Sequence, residues 1–325
     1  MNDRRMLACV AALALAVALP SADAQAQAYP ARTLRIVVGF APGGSADVLS
    51  RIMGQRLAEA LGQQVIIDNR PAAGGTVATD IVAKAQPDGH TMLLGSVGTM
   101  VFAPAMYQKL PYDVMRDFEH VGLWVTFPLA LVVPASSPAA NLNALIEQAR
   151  AKPATVRYGS QGIGASAHIF AEMMNHMARI KVVHVPYKGG APALTGVLVG
   201  EVDYGMMAVA TALTQVGSGK IRVLGVTSAK PSAMLPGVPP IGSAVPGYHA
   251  LNWHGIEVPA KTPRAIVTRL YEESAKILRR QDMIEKLATL SMDIDLMPPP
   301  DYRKFIQTEI ARWGPIIKAS GARAD

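Results

Sequence analysis

The stretch LRIVVGFAPGGSADVLSRIMGQRLAEAL, residues 34–61, contains the pattern on which the fold depends. Its first part, Leu34 to Phe40, is a short apolar run rich in β-branched residues, which predicts a buried strand. Its second part, Ala46 to Leu61, has apolar residues at helical spacing and stops before Gly62, which predicts a helix. The first unit of the chain is therefore strand, glycine loop and helix.

The same alternation of strands and helices repeats along the chain and predicts an α/β protein with mostly parallel sheets and crossover helices. A first series ends near Pro128 and a second begins at Leu129. The second series ends in a Pro- and Gly-rich stretch, 231–247, that cannot form a regular helix. Further strands are expected at 64–68, 91–95, 129–133, 155–159, 181–185, 201–207, 222–227 and 251–258. Further helices are expected at 76–86, 141–151, 165–178, 191–199, 211–216, 263–280, 282–290 and 300–320.

Two βα series predict two lobes. The helical C-terminal segment is expected to return to the first lobe, because alone it would leave an apolar face uncovered. Lobe 1 would then comprise residues 27–128 with 251–325, and lobe 2 residues 129–250. Two chain crossings, near Pro128 and Leu251, predict a hinge and a cleft that closes.

The N-terminus has the pattern of a secretory signal peptide, placed at residues 1–26. Arg4 and Arg5 precede an apolar run, Met6 to Leu19, that is shorter than the roughly 20 residues a membrane-spanning helix needs. A twin-arginine signal and a lipidated Cys9 are less favoured alternatives, because the flanking residues fit them poorly. We therefore expect export to the periplasm. Cys9 is the only cysteine, so the mature chain would have neither a disulfide nor a thiol nucleophile.

The charge and the aromatic content argue against a nucleic-acid-binding protein. The net charge is +7, but Lys and Arg are scattered and aromatic residues make up only 6%, whereas a nucleic-acid interface gathers basic and aromatic residues on one face. A mild positive field favours the approach of anionic solutes instead. The seven histidines lack a metal-binding spacing such as H-E-x-x-H, so we expect no metal, no cofactor and no enzymatic activity.

The loop after the first strand is the first candidate binding site. Gly43 and Gly44 allow a close backbone approach, and the helix start that follows presents free N–H groups with the positive end of the helix dipole. Such a loop accepts an anion. Phe40, Ser45 and Asp47 complete the candidate set; capping of the helix is an equally good interpretation for the last two, and holding the loop is the better one for Asp47.

The segment YGSQGIGASAH, residues 158–168, repeats this arrangement in the second series. Its G-x-G-x-x-A spacing matches the dinucleotide fingerprint, but export and the lack of an acidic residue at the end of the next strand argue against that ligand. We expect a second anion-binding loop that faces the first across the cleft. Its candidate residues are Ser160, Gly164, Ala165, Ser166 and His168. A hydrolase that uses Ser166 with His168 is a remote alternative, because positions i and i+2 of a helix point in different directions.

Two more strand ends complete the candidate site. Ser96 and Thr99 follow the third strand at the carboxyl edge, where open α/β sheets bind ligands; an ordinary turn is an equally good interpretation. Met207 and Ala208 end a strand of the second series and are expected to form an apolar wall of the cleft.

Over its mature length the chain resembles the solute receptors of tripartite tricarboxylate transporters, the Bug family. The resemblance is carried by FAPGGSAD, LGQQVIIDNRPAAGGT, AQPDGHTML, KLPYDVMRDF, YGSQGIGASAH, HVPYKGGAPAL, GKIRVLGVTSAK and the Trp253-His254-Gly255 triplet. It implies a two-lobed type II periplasmic-binding-protein fold with helices flanking each sheet. It also implies capture of the ligand by loop backbone and water, and delivery to two membrane subunits. Known family ligands are dicarboxylates, tricarboxylates, acidic amino acids and aromatic acids.

Two departures from the family pattern bear on the ligand. The family often has Asn where this chain has Ala103, and many members have an acidic residue where this chain has Ala208. An amine would need that acid as a counter-charge, so a plain carboxylate is favoured. We expect a monomeric periplasmic receptor for a small carboxylate that serves transporter membrane subunits. A ligand sensor that signals to a membrane kinase is the alternative that the sequence leaves open.

Overall fold

The computed structural model describes residues 29–323; the expected signal peptide, residues 1–26, lies outside them. Two β-sheets with flanking helices form the molecule. The strands are β1 (Leu34–Val38), β2 (Val65–Asn69), β3 (Thr91–Ser96), β4 (Phe118–Phe127), β5 (Leu129–Pro134), β6 (Arg157–Ser160), β7 (Val183–Pro186), β8 (Tyr204–Ala208), β9 (Ile221–Val226), β10 (Asn252–Pro259) and β11 (Asp293–Met297).

The described helices begin with α1 (Ser45–Leu61) and α2 (Thr76–Ala83), followed by a π-helical turn (Gly98–Phe102) that continues into the short helix α3 (Ala103–Met106). The others are α4 (Leu142–Ala151), α5 (Ser166–Ala178), α6 (Gly190–Leu198), α7 (Val209–Gly217), α8 (Arg264–Leu278), α9 (Gln281–Ala288) and α10 (Pro299–Ser320). Among the helices of residues 29–323, none combines the length and the apolar character needed to cross a membrane.

The first sheet has six strands in the order β11-β4-β10-β3-β1-β2. β1 pairs in parallel with β2 and β3, whereas β10 pairs antiparallel with both β3 and β4. Four strands of this sheet therefore run in one direction, namely β1, β2, β3 and β4, and β10 and β11 run in the other. The sheet combines strands from residues 34–127 with strands from residues 252–297, so strands from the last part of the chain lie in the first sheet.

The second sheet has five strands in the order β7-β6-β8-β5-β9. β5 runs antiparallel to its neighbours β8 and β9, and the other strands share one direction. Its strands all lie within residues 129–226. β10 in the first sheet and β5 in the second each lie between two strands that run in the opposite direction. Each is the first strand that the chain forms after crossing from the other sheet. The residue limits of the lobes stay a prediction.

One cluster of buried apolar residues extends across both sheets. Phe102 from the first part of the chain, Phe170 of α5 and Trp313 of α10 meet with ring centroids 5.2 to 6.1 Å apart. Each of these side chains is at most 1% exposed. The C-terminal helix therefore contacts the helices of both sheets, and it covers apolar surface that would otherwise face water.

Three elements differ from the sequence-based expectation. β4, β11 and the helical segment 98–106 were not predicted. β4 is almost completely buried, so its sequence FEHVGLWVTF lacks the alternation that marks a half-exposed strand. β11 is a short edge strand, DIDLM, and its acidic residues disfavour strand by propensity.

Candidate functional site

The loop between β1 and α1 is held by the side chain of Asp47. The Gly43 N–H donates to Asp47 Oδ2 at 2.9 Å, and Arg51 Nε donates to the same oxygen at 3.0 Å. Burial acts to raise the pKa of the Asp47 carboxyl, but the bonds from Arg51 and Gly43 outweigh it and hold that pKa below its usual value. Asp47 is 3% exposed, so its carboxylate holds the loop in place. This agrees with the interpretation favoured for Asp47 in the sequence analysis.

The same loop exposes the start of α1. Gly43 has φ +85, which favours glycine, and Gly44 caps the helix with extended backbone. Asn69 Nδ2 donates to Phe40 O at 3.1 Å and fixes the strand end. The first N–H groups of α1 have no acceptor within the helix, so this loop can present peptide nitrogens to an anion.

The loop between β6 and α5 is built in the same way. Gly162 and Gly164 have φ values of +133 and +81. The Gly162 N–H donates to Ser160 Oγ at 3.2 Å, and the Gly164 N–H donates to His168 Nδ1 at 3.1 Å. Both glycine N–H groups are thus used inside the loop, which leaves the first N–H groups of α5, at Ser166 and Ala167, to meet a ligand.

Two side chains of β10 connect the two loops. Asn252 Nδ2 donates to Ser166 Oγ at 2.9 Å, and His254 Nε2 lies 3.5 Å from Ser45 Oγ. Asn252 and His254 lie on the same face of the strand and about 7 Å apart along it. The starts of α1 and α5 therefore converge on one face of one strand.

The two lobes touch in this structure. A methyl group built on Gly98 would lie 3.7 Å from the Gly164 carbonyl oxygen, and one built on Gly74 would lie 3.8 Å from the Ile163 carbonyl oxygen. The space left between them is about 10 Å³, which is no more than one water molecule needs. This space is too small for a carboxylate. Its lining is Gly74, Gly98, Ala103, Met106, Tyr107, Ile163 and Gly164.

The remaining predicted residues fall into two groups. Ser96 and Thr99 lie at the carboxyl end of β3, but both are buried and their hydroxyl oxygens are 3.2 Å apart, so they shape the turn. Met207 lies in an apolar cluster of the second sheet with Val132 and Val226, and its place in a cleft wall stays a prediction. Ala208 is half-buried at the start of α7.

One charged side chain at the converging helix starts, Asp47 in the first turn of α1, is paired with Arg51. His254 is fully buried, and burial lowers its pKa to about 4, so it is neutral at neutral pH. The residues that line the space between the lobes include no Asp, Glu, Lys, Arg or His. Ser166 and His168 do not form a nucleophile and base pair, because Ser166 Oγ binds Asn252 and His168 Nδ1 binds Gly164. The site is suited to binding an anion through peptide N–H groups.

Asn252 and His254 were not predicted as site residues. The sequence pattern that could have indicated them is the alternation of two polar side chains along the predicted strand 251–258. His254 also belongs to the triplet Trp253-His254-Gly255 that carries the family resemblance.

A larger surface cavity of about 300 Å³ lies elsewhere, between the start of α4 and the 237–244 segment, and it also lacks charged lining residues. Within residues 29–323, no group of three or more His, Cys, Asp or Glu residues could hold a metal ion.

Comparison with known proteins links this architecture to one family. Residues 49–322 match the family described as the tripartite tricarboxylate transporter family receptor. A UPF0065 protein from the tcbD-tcbE intergenic region of Pseudomonas sp. strain P51 is 37% identical over 317 residues, which cover 97% of this chain and 93% of that protein. Protein BugT of Bordetella pertussis is 32% identical over 325 residues, 99% of each chain.

Solved structures give the same result for the fold. The R. palustris protein Rpa4515 with adipate has a TM-score of 0.85 at 33% identity, with 91% of this chain and 99% of that chain covered. MatC from Rhodopseudomonas palustris with bound malate has a TM-score of 0.82 at 30% identity, with 89% and 100% covered. The two-lobed periplasmic-binding-protein fold predicted from the sequence is thereby confirmed.

Proposed function

The chain belongs to the tripartite tricarboxylate transporter family of receptors, and from this premise we propose that it captures a small carboxylate between its lobes and delivers it to the membrane subunits of such a transporter. The observation that carries the proposal is the convergence of two helix starts on Asn252 and His254 of β10. Each helix start presents N–H groups to an anion, and together they can surround one carboxylate.

The proposed working form is a monomer that is exported to the periplasm by a cleaved signal peptide. Its lobes would be residues 27–128 with 251–325 and residues 129–250, closing about the crossings near Pro128 and Leu251. The strands at these crossings are tied together, since the Leu129 N–H donates to Thr227 Oγ1 at 2.8 Å and the Ala250 N–H donates to Thr227 O at 2.7 Å. Two crossing segments that are hydrogen-bonded side by side support a hinge.

The ligand proposed is a carboxylate without an amino group. Adipate and malate are bound by two structural neighbours, and Ala208, where many family members have an acidic residue, supplies no counter-charge for an ammonium group. A buried, unpaired ammonium would cost several kcal/mol. Each hydrogen bond to a carboxylate contributes roughly 1.5 to 3 kcal/mol, so four or five N–H donors suffice for micromolar affinity, which needs about 8 kcal/mol.

Isothermal titration calorimetry of the mature protein with adipate, malate, benzoate and glutamate tests the proposal. We expect one or more of the first three to bind and glutamate to fail. Binding of none of a broad carboxylate panel would overturn it. Capture of the protein by a membrane kinase, and not by transporter subunits, would support the sensor alternative.

Replacing Asn252 by Ala should weaken carboxylate binding by about five- to tenfold, because one hydrogen bond that holds the closed form, worth roughly 1 kcal/mol, is lost. Ser166→Ala should weaken binding to a similar degree. The double variant should be no weaker than either single one, since both changes remove the same bond. Fully additive losses in calorimetry would contradict the contact.

A further inference from the structure

The loop of residues 160–165 needs support from outside itself. Gly162 and Gly164 both have positive φ values, and glycine populates this region about as readily as the negative one. A segment with two such residues has many accessible conformations in isolation, and only some of them direct the N–H groups of α5 into the cleft. Neighbouring side chains must therefore select one conformation.

Two imidazoles, the buried His168 and the half-buried His184, hold this loop by hydrogen bonds. His168 Nδ1 accepts the Gly164 N–H at 3.1 Å. His184 Nε2 lies 2.7 Å from Ser160 Oγ, and that hydroxyl in turn accepts the Gly162 N–H at 3.2 Å and donates to Gly162 O at 3.1 Å. Each of the two glycines is thus connected to one imidazole, directly or through one hydroxyl group.

The two imidazoles also fix each other. The rings of His168 and His184 are stacked with centroids 4.1 Å apart and planes 9° from parallel, and His184 stacks on Tyr158 at 4.7 Å. Burial lowers the pKa of His168 to about 3 and that of His184 to about 4. Both rings are therefore neutral at neutral pH, which leaves His168 Nδ1 free to act as an acceptor.

We propose that His168 and His184 are positioning residues of the carboxylate site, which act through the loop and not by contact with the ligand. The geometry carries this role because His168 Nδ1 and His184 Nε2 contact Gly164 and Ser160 of the loop. The role in ligand binding rests on the proposed function, whereas the effect on the loop itself does not.

The test uses pairs of variants that differ in one acceptor or donor. Asn at position 168 can place its Oδ1 near the position of the imidazole Nδ1, so His168→Asn keeps an acceptor for Gly164, and His168→Leu removes it. Gln at position 184 can reproduce the Nε2 contact with Ser160, whereas His184→Phe keeps the stacking and loses that contact. We expect His168→Leu and His184→Phe to weaken adipate binding at least about tenfold, and the Asn and Gln variants to stay within about threefold of the wild type.

Hydrogen exchange of the ligand-free protein separates this inference from the proposed function. The amides of residues 160–165 should exchange faster in His168→Leu and His184→Phe than in His168→Asn and His184→Gln, with unfolding temperatures measured for all four. Equal exchange within each pair would overturn the inference, and so would equal adipate affinities within each pair if the wild type binds adipate. If the wild type binds no acid, the proposed function fails, and the exchange comparison still decides the role of the imidazoles.

Discussion

Gly164→Val should reduce carboxylate binding by more than about 100-fold. Gly164 has φ +81, and its added Cβ would lie 3.5 Å from Met106 Sδ of the other lobe. A β-branched side chain in this backbone region is strained. The loop would therefore move away from His168, and the extra methyl groups would also fill the small space in which the lobes meet.

A matched control separates backbone strain from the site. Gly219 has φ +69 and nothing within 4 Å of an added Cβ, so Gly219→Val introduces comparable strain at a turn that follows α7. Calorimetric titration should show near-normal affinity for Gly219→Val. If the two variants bound equally well, the position of Gly164 between the lobes would have no part in recognition.

Glu257→Gln should stabilise the protein at alkaline pH. Glu257 is fully buried in β10, where burial raises the pKa of its carboxyl to about 8, and Tyr302 Oη donates to it at 2.6 Å. As pH rises from about 4.5, the unfolded chain releases a proton that the folded protein retains, so the free energy of unfolding falls until about pH 8. The wild type should lose at most about 5 kcal/mol over this window relative to the variant.

Chemical denaturation across the pH range measures this effect. The acid limb gives an internal control: burial lowers the pKa of His120 and of His254 to about 4, so stability falls in both proteins as pH drops from about 6.5 to about 4. Tyr302→Phe removes a bond that lowers the Glu257 pKa and should move the alkaline loss to higher pH. Parallel curves for the wild type and Glu257→Gln above about pH 5 would show that Glu257 does not titrate as described.

The two glycine loops could be predicted because each follows a short apolar strand and opens an amphipathic helix, a pattern that is local in sequence. The partners that join them could not. Asn252 and His254 meet Ser166 and Ser45 only after β10 has inserted into the first sheet, and no local spacing encodes that pairing. Met207 lies at a strand end as predicted, but its packing against Val132 and Val226 depends on contacts that are distant in sequence.

The position of β10 also determines the order in which the molecule can be assembled. β10 lies between β3 and β4, yet a growing polypeptide contains every strand of the second sheet before it contains β10. Until then β3 and β4 have unpaired edges, and joining them requires contacts between distant parts of the chain, which form slowly. Because β10 also carries Asn252 and His254, these side chains can reach the starts of α5 and α1 only once β10 has paired with β3 and β4.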